Sequence, residues 1–189
     1  MSHLVQRSDI IDYQTYGDTR DETRKIAMAA KKPRRVHLGA YLTMLFENRA
    51  TLTYQIQEIM RAERIARETD IQTEIDTYND MLGGPGDLGC VLLVEIDDVD
   101  ERAVKLREWL GLQEHIYAQM ADGSRVYATF DPSQVGEDRI SAVQYLKFHV
   151  GQEAPVGFGT DFDALREEML LSDDQRAALR ADLDATHAG

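Results

Sequence analysis

The stretch His115-Ile116-Tyr117-Ala118-Gln119-Met120-Ala121-Asp122-Gly123-Ser124-Arg125-Val126-Tyr127-Ala128-Thr129-Phe130 decides the fold class. Two runs that mix apolar, aromatic and β-branched residues flank Asp122-Gly123, a dipeptide that readily supplies the positive backbone angles of a tight hairpin. The spacing predicts an antiparallel pair over 115–120 and 125–130. Working outward, the apolar run from Cys90 to Ile96 is strand-length, and 142–150 and 156–159 supply two further strands. Residues 99–110 read as a helix, with Asp98 as N-cap and Glu101 at the third helical position, which also explains the acidic cluster Asp97, Asp98 and Asp100 without calcium.

The N-terminal half is helical. Residues 8–32 read as a helix that Ser8 or Asp9 can cap and that ends before Pro33. Short extended runs follow at 36–38 and 42–46. A long helix over 49–68 starts at the N-cap Asn48, and a second starts at Thr69, with Ile71, Ile75, Tyr78 and Leu82 on one face. These two form an antiparallel pair. Ser172 and Gln175 open a last amphipathic helix by a capping box. The fold class is therefore α+β: N-terminal helices and a helical pair packed on a mainly antiparallel sheet, partly ferredoxin-like, with a C-terminal helix. A chain of 189 residues suits a single domain, with segments 1–35, 36–86, 87–160 and 161–189.

The formal charge of −13 argues against a nucleic-acid partner, whose phosphates are bound by Lys and Arg. Residues 1–36 carry +3 against −10 for 37–150, so the N-terminal segment is expected to dock on its own molecule. Within it, Lys31-Lys32-Pro33-Arg34-Arg35 reads as a connector and a source of arginine partners for buried carboxylates. The single cysteine, Cys90, excludes an internal disulfide, and no stretch is long and apolar enough for a signal peptide or a membrane span. The expected location is cytoplasmic, with no membrane partner.

Glu63 carries the sharpest site hypothesis. Counting about 100° per residue places it with Leu52, Ile56, Ile59 and Ala66 on the apolar side of the long helix, where a carboxylate must be paired, protonated or metal-bound. Glu95 enters from the core side of its strand by alternation with Val91 and Leu93. Metal candidates are thus Glu47, Glu58, Glu63, Glu95 and His149, a ligand set that suits iron, manganese or zinc. Haem is a further cofactor candidate, although no attachment motif is present. Glu58 and Glu63, about 140° apart on a helix, do not share one ion by simple geometry, and the Glu-x-x-His pattern of bundle di-iron sites is absent. The bland alternative is an ion pair to Arg34, Arg35 or Arg139. For acid–base chemistry the candidates are Glu63, Glu58 and Tyr54, with Gln55 on the adjoining sector. Gly-Gly-Pro-Gly at 83–86 lies in helix–loop–strand order, the reverse of a phosphate-binding loop.

Phe46-Glu47-Asn48-Arg49, the run from Tyr54 to Arg64, Tyr78-Asn79, Glu95-Ile96-Asp97-Asp98 and the run from Asp138 to Leu146 together resemble the bacterial DUF3501 family. The resemblance spans most of the chain. It implies the company of rubrerythrin-like proteins and iron–sulfur oxidoreductases, hence an accessory or partner-binding role in redox or peroxide metabolism, with a redox enzyme as protein partner. It brings no catalytic residues. A small sheet with open edges adds a homodimer to the expectations, and a metal- or haem-binding enzyme is the competing reading.

Overall fold

A computed structural model describes residues 2–187. Residues 1, 188 and 189, the ends of the expected N- and C-terminal segments, lie outside it. The elements are α1 (Tyr13–Lys31), β1 (Arg35–Leu38), β2 (Leu42–Phe46), α2 (Arg49–Glu63), α3 (Glu68–Asp80), β3 (Asp87–Val94), α4 (Val99–Glu108), β4 (Ile116–Gln119), β5 (Arg125–Tyr127), β6 (Val143–His149), β7 (Gly157–Phe162), β8 (Leu165–Leu170) and α5 (Asp173–His187). The class is α+β, and every strand pairing is antiparallel.

The strands form two sheets, β1-β2-β3-β6 and β5-β4-β7-β8. The step β3-α4-β4 therefore crosses between sheets and does not return to one, which is where the arrangement departs from a ferredoxin-like sheet. An isolated bridge between Thr129 and Lys147 ties the β5 side to β6, and β1 lies beside β8. The sheet edges that would have offered themselves to a second copy largely face each other.

Burial follows strand alternation. Val36, Leu38, Leu42, Met44, Phe46, Leu88, Cys90, Leu92, Val94, Leu146 and Phe148 point from the first sheet into a core shared with Ile116, Ala118 and Phe158 of the second and Leu179 and Leu183 of α5. Phe158 stands 4.8 Å from Phe46 and 5.3 Å from Phe148 between ring centroids, which joins the two sheets. Cys90 is part of this core, and burial raises its thiol pKa. A second cluster joins Val5 and Ile10 to Leu52, Ile56 and Met60 of α2, Ile71 and Ile75 of α3, and Leu82.

Local signals were obeyed where the partner is close in sequence. Asn48 caps α2 by accepting from Thr51 N at 3.0 Å, Asp98 caps α4, and Ser172 exchanges hydrogen bonds with Gln175. The Asp122-Gly123 turn has φ +86° at the glycine. Three expectations need correction. The first helix starts at Tyr13, because Asp12 accepts from the Gln14 and Thr15 amides; Ser8 and Asp9 lie in a separate short turn. The segment 161–189, expected as a C-terminal helical arm, carries a strand, β8, ahead of its helix. The long helix stops at Glu63, where Arg64 takes a left-handed conformation, φ 54°.

The N-terminal segment docks on α2 and α3, and Arg7 on Glu68 and Arg20 on Glu58 have the polarity its charge suggested. Arg49 clasps Asp9 at 2.6 and 2.9 Å, and Asn79 bonds both the N–H and the C=O of Val5 at 2.9 Å. Gln57 is buried and does the same for Ile11 at 2.8 and 3.0 Å. The buried face of α2 is thus Thr51, Leu52, Ile56, Gln57 and Met60, which keeps Leu52 and Ile56 of the predicted sector but not Glu63.

Candidate functional site

A cavity of about 620 Å³ opens where α1, the start of α2, the start of β3, α5 and the N-terminal segment meet. Its wall is largely apolar, with Ile26, Ala27, Leu82 and Leu88, and carries a few polar groups, among them Glu47, Asn48 and Tyr54. That mixture is the usual make-up of a small-molecule site.

Glu47 sits between the last residue of β2 and the cap of α2, so two elements fix its backbone. Its N–H donates to Gly89 O at 3.0 Å. The residue is 6% exposed. Gln55, two turns along α2, donates to Oε1 at 2.7 Å, whereas Oε2 has no hydrogen-bond partner among the described residues. The nearby Thr51 hydroxyl donates to Asn48 O at 3.0 Å. Burial raises the carboxyl pKa, against the opposing pull of the Thr51 hydroxyl, the Lys31 charge, the Gln55 amide and the Arg34 charge. An acid so placed is biased toward its protonated form relative to an exposed carboxylate and can give or take one proton.

The other charges at the cavity are matched. Asp182 of α5 holds Arg34 through two bonds, 2.7 and 2.8 Å, in the most buried ion pair of the described residues, side-chain exposures 11% and 12%. Asp182 also accepts from Asn48 Nδ2 at 3.1 Å. Asp9 is held by Arg49, and Asp87 accepts from the Gly84 amide and lies 2.8 Å from His149 Nδ1. Lys31 lies over the Tyr54 ring, 5.7 Å from its centroid.

The structure thus separates the residues the sequence grouped. Glu47 and Tyr54 share the cavity. Glu58 faces α1, where Arg20 binds it bidentately at 2.8 and 2.9 Å and Tyr16 donates at 2.6 Å; its partner is Arg20, not Arg34, Arg35 or Arg139. Glu63 is exposed at the end of α2, since the helix stops before the turn that would have covered it. Glu95 is exposed beyond β3, accepting from Thr43, which lies 2.9 Å from His37 Nδ1. The core face of that strand is Cys90, Leu92 and Val94, opposite to the predicted one. His149 is exposed and reaches the cavity only through Asp87. Among the described residues, no three His, Cys, Asp or Glu side chains converge as they would on a metal ion. Asp182, Asp87 and His3 complete the cavity wall without having been singled out, and only the tertiary fold brings them there.

The Glu58 network makes a prediction. The Arg20 guanidinium, with the Tyr16 hydroxyl, lowers the Glu58 pKa from 4.5 to about 2. A depressed carboxyl contributes stability that is present above its unfolded pKa and lost as pH falls through the folded one. Glu58→Gln is expected to cost about 2 kcal/mol near neutrality and to flatten the fall in melting temperature between pH 4.5 and about 2. Calorimetry across that range checks it; an acid limb unchanged by the substitution would contradict it.

The model of the DUF3501 family, described as a protein of unknown function, matches residues 4–183, so the chain belongs to that family. A crystal structure of a novel protein of unknown function from Burkholderia pseudomallei K96243 superposes with a TM-score of 0.87 at 28% identity, covering 95% of this chain and 99% of that one. No curated protein matches. No helix among the described residues is long and apolar enough to cross a membrane.

Proposed function

We propose that this DUF3501 protein is a cytoplasmic accessory protein that binds a small, largely apolar molecule in the cavity beside Glu47, in the service of a redox or peroxide-metabolising enzyme. The observation that carries the binding role is the cavity itself, about 620 Å³ with an apolar wall and a buried acid whose Oε2 lacks a partner. A buried polar atom without a partner costs free energy that a ligand can recover. The redox setting rests on the company implied by the family resemblance, and a reducing compartment fits a lone, core-buried thiol.

The test is native mass spectrometry, metal analysis and an absorption spectrum on protein purified without tag or chelator. Ala50→Trp serves as the blocked variant, because Ala50 is exposed yet lines the cavity. A bound organic molecule in the natural protein, absent from the variant, is the expected result. Stoichiometric iron, manganese, zinc or haem would replace this reading with that of a metal- or haem-binding enzyme. A bare protein that no compound of a fragment library stabilises more than the variant would end the ligand reading.

A further inference from the structure

We infer that the cavity recognises an apolar molecule by a carbonyl oxygen, which accepts a hydrogen bond from the Glu47 carboxyl. This inference rests on the ligand-binding reading and adds the chemistry of the ligand.

The argument starts from what faces Glu47. The ionisable groups around it are Lys31 from α1, Arg34 from the following connector, Cys90 on β3 and Tyr78 on α3. Two of these are cations and none is a carboxylate, and although Arg34 is paired with Asp182, an amine brought to Glu47 would still meet the like charge of Lys31. The acids elsewhere on the wall offer an amine little, since Asp9, Asp87 and Asp182 already have partners. Glu47 is therefore the buried polar group of the wall with something left to give. Gln55 already donates to Oε1, which leaves Oε2 to carry the proton. Such an O–H needs an acceptor; Oε2 has no hydrogen-bond partner among the described residues, and the neighbouring Thr51 hydroxyl is already engaged by the Asn48 backbone. In this structure Oε2 is covered by the wall. Recognition therefore requires a turn of the carboxyl about its terminal torsion, which is broad in glutamate, to bring the hydroxyl to a ligand. The apolar wall of Ile26, Ala27, Leu82 and Leu88 suits the remainder of such a molecule.

The experiment uses the full chain and three naphthalene probes in fluorescence titrations: the ketone prodan, dimethylaminonaphthalene, which lacks the carbonyl, and naphthylethylamine, a cation. Prodan is expected to bind about tenfold more tightly than dimethylaminonaphthalene. Its affinity is expected to fall as rising pH ionises Glu47, whose carboxyl burial holds above the ordinary carboxylate range. Glu47→Gln keeps a donor and cannot titrate, so it retains prodan binding and loses the pH dependence; Glu47→Leu loses the preference for the ketone. The glutamine variant also controls for His3, which lines the same cavity. Equal binding of both neutral probes, or tighter binding of the amine with rising pH, overturns the carbonyl inference and leaves the cavity reading standing. Failure of all three probes, with Ala50→Trp indistinguishable from the natural chain, overturns both.

Discussion

Asp182→Ala is expected to lower unfolding free energy by about 3–5 kcal/mol, the usual cost of stranding one member of a buried ion pair, and the melting temperature by about 10 °C. Asp182 accepts from three nitrogens, Arg34 Nε and Nη2 and Asn48 Nδ2. Its removal leaves the Arg34 guanidinium nearly buried with only the Ala30 carbonyl, 2.7 Å from Nη1, as partner. It also frees the side chain that caps α2. Three elements thus lose a common anchor: α5, the connector between α1 and β1, and the N-terminus of α2. Urea titration measures the loss. Replacing both partners, Asp182→Leu with Arg34→Met, is expected to recover much of the stability, because two apolar groups cost less than one unpaired charge. A single-variant loss below about 1 kcal/mol would place this pair with exposed bridges and remove it as the anchor of the cavity wall.

That anchor also shows where sequence reading stops. Asn48 as a cap, the Asp122-Gly123 turn, and the Ser172 and Gln175 exchange all involve residues one to three positions apart, so the chain carries both halves of each signal. Arg34 and Asp182 lie 148 positions apart, and Arg20 and Glu58 lie 38 apart. Basic residues at 31–35 announced a partner without naming it. Glu63 misled for a related reason: helical periodicity extends a stripe for as long as apolar residues continue, and Ala66 continued it. The helix ends instead at Arg64, a non-glycine residue in a left-handed conformation that no local pattern marks. β8 was missed because Glu167 and Glu168 have low strand propensity, and its pairing to β7 overrides that. Glu47 was legible as a candidate. Its importance was not, because the empty valence at Oε2 depends on what Gln55 and the surrounding walls do.

Gly89→Ala is expected to be as damaging as the loss of Asp182, for a reason of shape alone. A Cβ at Gly89 would lie 1.9 Å from Met81 O and 3.2 Å from Leu82 Cα. These are backbone atoms in the turn that ends α3, so no rotamer change relieves the clash, and either β3 or the turn must move. Gly89 pairs with Lys147 in β6 and its carbonyl accepts from Glu47 N, which holds β3 in place from both sides. The turn is therefore what yields, carrying Leu82 out of the second hydrophobic cluster and away from the cavity wall. Overpacking usually costs about 1–3 kcal/mol; a rigid backbone contact puts this case at or above the upper end. Gly17 supplies the control, since it lies within α1 with nothing within 4 Å of its added Cβ. Gly17→Ala is expected to raise stability by about 0.5–1 kcal/mol through helix propensity. Because Gly89, Leu82 and Glu47 meet at one wall, Gly89→Ala should also reduce prodan binding, whereas Gly17→Ala should leave it unchanged. An alanine at Gly89 that leaves both the melting temperature and prodan binding intact would mean that the turn after α3 does not rest on β3, and with it the cavity would lose one of its walls.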